Sequence, residues 1–168
     1  QGKFPNTRLR RNRMKEFSRR LVAENNLSAD DLILPLFVCE GNNVEDPIQS
    51  MPGVSRYSID KLLHKVEDAV RFSIPAIAIF PQIEPSLKNA EGSLAFDENN
   101  LVCRSIKSIK KEFSGIGIIC DVALDPFTDH GHDGLVINDK IDNDKTLDIL
   151  EKQALVQVNA GCDVIAPS

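Results

Sequence analysis

Short apolar runs alternate with amphipathic stretches along most of this 168-residue chain. Four runs rich in β-branched residues, beginning near positions 32, 76, 116 and 163, have the length of buried strands. Between these runs, apolar residues recur at the three- and four-residue spacing of helices that bury one face. The alternation of strand and helix predicts an α/β protein with a parallel sheet and helices packed outside it.

Each predicted helix has one apolar face, and we expect these faces to be buried. The faces consist of Met14, Phe17, Leu21 and Val22; then Leu62, Val66, Ala69 and Val70, after Ser58 as the cap; then Val102, Ile106, Ile109 and Phe113; and last Leu147, Leu150, Ala154 and Val158, closed by Gly161. The first strand is predicted over Leu32 to Val38, where Pro35 suggests a bulge or an irregular start.

The strand pattern predicts two parts. Residues 1–27 form an extended basic arm and a first helix, and residues 28–168 form about four β/α units, the first half of a TIM-type (β/α)8 barrel. A whole barrel needs eight units in about 250 residues. Because the sequence stops directly after the fourth strand, we expect the amino-terminal part of a longer protein. A complete four-stranded doubly wound domain is the alternative.

Charge is distributed unevenly, with eight of the 20 Lys and Arg residues but only one of the 25 acids in the first twenty positions. A basic arm on an acidic body can bind nucleic acid or a neighbouring subunit. No aromatic residue is interleaved among Arg8, Arg10, Arg11 and Arg13, and the sequence pI is about 5.2. These features favour a neighbouring subunit over nucleic acid.

The absence of membrane-spanning and secretion signals, together with the cysteine pattern, predicts the cellular compartment. No apolar run has the length of a membrane span, and the first residues lack the apolar core of a secretion signal. The cysteines at 39, 103, 120 and 162 are unevenly spaced and lie in or beside apolar segments. They are expected to be reduced core residues of a cytoplasmic protein, and the absence of C-x-x-C or C-x-C spacing argues against a thiolate zinc site.

The stretch Ile116 to Gly134, IGIICDVALDPFTDHGHDG, holds the candidate chemistry. A buried strand leads into a loop with four carboxylates and two imidazoles, which are Asp121, Asp125, Asp129, Asp133, His130 and His132. Carboxylates so close together must be solvated, bound to a cation or catalytic. A solvated acidic loop is the plain interpretation, but ligands of α/β folds bind at the carboxyl ends of strands, which favours a site.

Several segments together resemble the porphobilinogen synthase (δ-aminolevulinic acid dehydratase) family. They are RLRRN, LILPLFVCEG, SMPGV, GSLAF, DVALDPFTDHGHDG and AGCDVIAPS, and they span nearly the whole chain in the family's order. The resemblance implies an eight-stranded β/α barrel whose arm embraces a neighbouring subunit, usually in a homo-octamer. It also implies the joining of two 5-aminolevulinate molecules into porphobilinogen, the pyrrole of heme and other tetrapyrroles.

The resemblance assigns roles to four residues. Asp121 lies beside the two lysines that form Schiff bases with substrate, as a polar or proton-transfer group, although a strand-end aspartate can also simply cap backbone amides. Ser168 lines the substrate site, and Asp125 and Asp133 face the substrate or a cation. The two lysines follow strands five and six in the family, so no lysine of this chain matches them. We therefore expect this chain alone to be inactive.

Zinc-dependent members of the family carry three cysteines in this loop, where this chain has Ala123, Asp125 and Asp133. The chain thus resembles the aspartate-rich form, associated with Mg²⁺ or K⁺. Oxygen ligands suit these hard cations, whereas thiolates suit zinc, so zinc is not expected. Two alternatives remain: a metal-dependent hydrolase of barrel fold that uses His130 and His132, and a non-catalytic fragment.

Overall fold

The computed structural model describes residues 2–168, and in it the four apolar runs become strands of one sheet. The strands are β1 (Ile33–Val38), β2 (Glu45–Pro47), β3 (Ser55–Tyr57), β4 (Ala76–Pro81), β5 (Gly117–Val122), β6 (Val136–Ile137), β7 (Lys140–Ile141) and β8 (Val164–Pro167). The helices are α1 (Glu16–Leu21), α2 (Ile59–Arg71), α3 (Leu101–Glu112) and α4 (Asn143–Ala160). Short 3₁₀ turns occupy residues 11–13, 29–31, 85–87 and 93–96.

The main sheet has the order β2-β3-β1-β4-β5-β8, and only its edge strand β2 is antiparallel to its neighbour. The four predicted strands lie side by side in chain order and all run parallel. A doubly wound sheet reverses its strand order, whereas a barrel keeps it. The open sheet therefore has the winding of a partial barrel. The three-residue strands β2 and β3 were not predicted, because they are too short to show an alternating pattern.

Pro35 does not distort β1, so the predicted bulge or irregular start is wrong. β1 pairs with β4 without interruption, from Ile33 opposite Ala76 to Val38 opposite Pro81. On its other side, β1 pairs with β3 only at its last two residues. Alternate residues of a strand bond to opposite neighbours. Because Val38 bonds towards β4, the nitrogen of Pro35 faces the unpaired side, where no N–H is needed.

The core lies between the sheet and helices α2 and α3. It contains Leu62 and Val66 of α2, Ile106 and Ile109 of α3, and alternate residues of the central strands. The predicted faces of these two helices are confirmed except at one edge, where Val70 is 46% exposed. At 100° per residue, Val70 lies beyond the arc that the sheet covers.

The predicted apolar face of α4 is only partly confirmed, since Leu150 packs against the core and Ala154 is half-buried. Leu147 and Val158 are 56% and 50% exposed, whereas the buried positions of α4 are Thr146, Gln153, Gln157 and Ala160. The two glutamine amides donate hydrogen bonds to main-chain carbonyls at the end of β5. Because unpaired carbonyls are costly in the interior, the two glutamines face inward beside Leu150 and Val156, which pack against the core.

The amino-terminal part differs from the prediction in detail. Residues 2–13 are exposed and include a 3₁₀ turn at Arg11–Arg13, while residue 1 lies outside the described residues. α1 is present, but its predicted apolar face is not covered, since Phe17 and Leu21 are 62% and 79% exposed. Ser58 precedes α2 but makes no side-chain cap, and its hydroxyl instead donates to Asp60 and accepts from the Val44 N–H.

All four cysteines are buried and free, as predicted. Burial raises the pKa of the Cys103 thiol to about 11, so this thiol stays protonated at neutral pH. Within residues 2–168, none of the helices combines the length and the apolar character needed to cross a membrane.

Candidate active site

The site begins where β5 ends. Along β5 the buried side chains of Ile118, Cys120 and Val122 alternate with partly exposed ones, and Asp121 is among the latter. Beyond the strand, Leu124 and Phe127 are buried at 0% and 2% exposure and fix the loop to the core. The residues between these anchors must then face solvent.

Asp133 closes the loop back onto the strand end. Its Oδ1 accepts a hydrogen bond of 2.6 Å from the main-chain N–H of Leu124. The Thr128 hydroxyl donates to the His132 carbonyl at 2.9 Å across the same turn. These contacts bring Asp133 back to the segment that carries Asp121 and Asp125, although it is twelve residues after Asp121 in sequence.

The charges of Asp125 and Asp133 act on the carboxylates beside them. Burial, followed by the charges of Asp125 and Asp133, raises the pKa of Asp121. Burial and the charge of Asp133 likewise raise the pKa of Asp125, while Lys88 opposes this effect. The neighbouring negative charges therefore oppose the ionisation of Asp121 and of Asp125, and a positive group near them would relieve the repulsion. This part of the surface therefore attracts positively charged groups.

Both ring nitrogens of His130 are engaged in hydrogen bonds. The Nδ1 atom of His130 accepts the His132 main-chain N–H at 3.1 Å, and its Nε2 lies 3.2 Å from the Ala90 carbonyl. Nε2 must therefore carry the proton, and neither nitrogen keeps a free lone pair for a metal. Throughout the described residues, no three His, Cys, Asp or Glu side chains are grouped so that they could hold a metal ion.

The loop after β4 borders the acidic loop. Asn89 bridges to Thr128 through the main chain, and its carbonyl accepts the Asp129 N–H at 3.2 Å. The same loop carries Lys88, whose charge acts on Asp125. Lys88 was not among the predicted site residues, although it follows β4 and parallel strands present their following loops at one edge of the sheet.

Ser168 lies at the same edge. It follows β8, and its main-chain N–H donates to the Val122 carbonyl at 3.1 Å, extending the β5–β8 ladder by one step. Asp121 and Ser168 therefore end neighbouring strands. The structure thus brings Asp121, Asp125, Asp133 and Ser168 to one rim of the sheet, while Asp129 is exposed and bonded to the neighbouring loop.

Residues 6–168 match the family model described as Delta-aminolevulinic acid dehydratase. The chain belongs to this family. It is 56% identical over 161 residues to the delta-aminolevulinic acid dehydratase of Bradyrhizobium diazoefficiens and 43% identical to that of Chlamydia pneumoniae. Each alignment covers 96% of this chain but only 46% and 48% of the relative. The chain thus spans about half the length of these curated relatives.

A solved dehydratase has the same fold. The crystal structure of delta-aminolevulinic acid dehydratase (porphobilinogen synthase) from Toxoplasma gondii ME49, in complex with the reaction product porphobilinogen, superposes with a TM-score of 0.91. The identity is 40%, and the match covers 96% of this chain and 46% of that one. The open parallel sheet is therefore part of the dehydratase barrel, which confirms the predicted fold class.

Proposed function

We propose that this chain carries the acidic part of the active site of a porphobilinogen synthase, a hydro-lyase that joins two molecules of 5-aminolevulinate with loss of two waters. The Toxoplasma gondii structure supports this most directly, because that enzyme holds porphobilinogen on a fold that matches 96% of this chain. The acidic rim lies at the carboxyl ends of parallel strands, where barrel enzymes place their chemistry.

The carboxylates have different environments, which suggests different roles. Asp121 is half-buried, and its raised pKa suits a group that takes and returns protons during the reaction. Asp125 and Asp133 are exposed and can bind the ammonium group of a substrate through charge. Ser168, on the neighbouring strand, would contact the same substrate. The Schiff-base lysines implied by the resemblance are not matched by any lysine of this chain.

The donor set also suits a weakly held hard cation. Asp125 and Asp133 offer carboxylate oxygens, and their mutual repulsion favours a positive ion. With one Asp133 oxygen already bonded to Leu124, few protein ligands are left. Mg²⁺ keeps several waters in such sites, so Mg²⁺ or K⁺ would be bound through its hydration shell and would supply positive charge. No thiolate lies in this loop, and zinc is not part of the proposal.

The basic arm is proposed to bind a neighbouring subunit of a homo-octamer. Within residues 2–168 its apolar side chains are largely uncovered: Leu9 is 95% exposed and Met14 is 76% exposed. Arg8, Arg10 and Arg13 lie among them and are opposite in charge to the acidic remainder of the chain. An exposed surface with both properties suits a protein partner better than nucleic acid or a membrane. We place this protein in the cytoplasm, where its thiols remain reduced.

The activity can be tested with the complete translation product of the gene. Incubated with 5-aminolevulinate, it should release porphobilinogen, which is detected by its colour with an acidic aminobenzaldehyde reagent. The 168-residue chain alone, treated with 5-aminolevulinate and borohydride, should show no added mass, because it lacks a matching lysine. A complete product that makes no porphobilinogen would refute the proposed function, and a stoichiometric adduct on the short chain would refute the lysine assignment.

A further inference from the structure

The buried face of α4 carries two glutamines that the proposed chemistry does not use. Gln153 and Gln157 are each 1% exposed and lie one helical turn apart. Each donates through Nε2 to a main-chain carbonyl, at 3.1 Å to Ala123 and 3.0 Å to Asp121. In residues 2–168, their Oε1 atoms are the buried side-chain oxygens without a hydrogen-bond partner. A buried oxygen without a hydrogen-bond partner costs free energy, and methionine or leucine would fill these positions without that cost. The amide donors therefore have a specific use.

Pro81 explains why Asp121 needs a donor from a side chain. β4 and β5 pair in register, and the Gly117 N–H donates to the Pro75 carbonyl. In a parallel ladder the same contacts recur every two residues. The pairing ends at Ile79 opposite Cys120, and in its continuation the Asp121 carbonyl would meet the nitrogen of residue 81, which is a proline and has no N–H. Gln157 supplies the hydrogen bond that the ladder cannot.

Gln153 reaches the acidic cluster through a single peptide group. The carbonyl of Ala123 and the N–H of Leu124 belong to the same planar unit. The carbonyl accepts from Gln153 at 3.1 Å, and the N–H donates to Asp133 Oδ1 at 2.6 Å. Hydrogen bonds on both sides of one peptide polarise it in the same direction and strengthen one another. The orientation of Asp133 is therefore coupled to Gln153.

We propose that Gln153 and Gln157 are positioning residues for the acidic rim: Gln157 holds the Asp121 peptide, and Gln153 orients Asp133 through the Ala123–Leu124 peptide. The kinetic effects assigned to these residues rest on the proposed synthase activity. In that enzyme the two residues act on different steps. Gln157 acts through the proton-transfer group, so its loss lowers kcat. Gln153 acts through a residue that binds the substrate ammonium, so its loss raises KM.

A kinetic experiment separates these effects from simple destabilisation. Gln157→Met and Gln153→Met preserve side-chain length without the donor, and Asn159→Met removes an exposed amide from the same helix as a control. In the complete gene product, we expect Gln157→Met to lower kcat about 10-fold to 100-fold and Gln153→Met mainly to raise KM, with Asn159→Met unchanged. Pro81→Ala, which restores an N–H opposite Asp121, should rescue Gln157→Met but not Gln153→Met. Equal rescue of both, or of neither, would overturn the proposal.

A second measurement does not depend on activity. The sequence has two Ala-Leu pairs, 123–124 and 154–155. Labelling alanine carbonyls with ¹³C and leucine nitrogens with ¹⁵N in the 168-residue chain therefore isolates the Leu124 and Leu155 amides by NMR. The Leu124 proton should resonate downfield because it donates to a carboxylate, and Gln153→Met should move it upfield while Leu155 stays in place. An unmoved Leu124 signal in a folded variant would refute the coupling, even if the wild-type enzyme made no porphobilinogen.

Discussion

Asn100 is predicted to be the most costly single amide to remove from this fold. It is 2% exposed and uses both ends of its side chain. Its Oδ1 caps α3 by accepting the Cys103 N–H at 2.8 Å, and its Nδ2 donates to the carbonyls of Leu94 and Ala95 at 3.2 and 3.0 Å. These bonds tie α3 to the loop that borders the acidic rim.

The cost of Asn100→Ala has two parts. Loss of the cap costs about 1 kcal/mol. Leaving two carbonyls without a donor costs about 1 kcal/mol or more for each, with Ala95 the more deeply buried of the two. We expect a total loss of about 3 kcal/mol in the free energy of unfolding and a fall of roughly 10 °C in Tm.

Urea unfolding with linear extrapolation measures this loss. Asn99→Ala is the matched control, because Asn99 is the adjacent residue and its side chain is exposed. Asn100→Ser retains an acceptor for the cap but not the donors, so it should recover about 1 kcal/mol. If Asn100→Ala and Asn99→Ala agree within about 0.5 kcal/mol, the attribution of the loss to these three bonds is refuted.

Three further predictions concern charge, assembly and metal. Asp163 accepts from Lys110 Nζ at 2.6 Å and from the Ile118 N–H at 2.8 Å, and the Lys110 bond is the main reason that its pKa is lowered. A lowered carboxyl pKa stabilises the fold at pH values above the unfolded pKa near 4, so Asp163→Asn should cost about 1 kcal/mol at pH 7, after allowance for its exposure, and less as the pH falls through the folded pKa. Urea titrations at several pH values measure this cost, with the exposed Asp148→Asn as control. A cost that stays constant with pH would contradict the prediction. Deleting residues 1–13 from the complete gene product should reduce the oligomer size in light scattering, whereas an unchanged octamer, or nucleic-acid binding that weakens with salt, would argue against the arm's role in assembly. Removing zinc with a selective chelator should leave turnover intact, while Asp125→Asn with Asp133→Asn should lower it severely; activity that is lost on chelation and restored only by zinc would refute the assignment.

The sequence alone determined the order and type of the long elements. β-Branched runs at regular intervals can be buried only as strands of a parallel sheet, because the intervening segments are helical. The faces of α2 and α3 were predictable for the same reason, since each packs an apolar stripe on the sheet. The cluster around Asp121, Asp125 and Asp133 was also visible, because it directly follows a strand.

Only the tertiary structure decided which backbone N–H and C=O groups lack hydrogen-bond partners. The spacing of apolar residues along the sequence carries no information about these groups. Pro35 leaves β1 intact because its nitrogen faces the side on which β1 is unpaired at that residue. α4 turns glutamines inward although its sequence offers an apolar face, because carbonyls at the end of β5 need donors. The pairing of Asp133 with Leu124 likewise depends on a loop closure that no local pattern encodes.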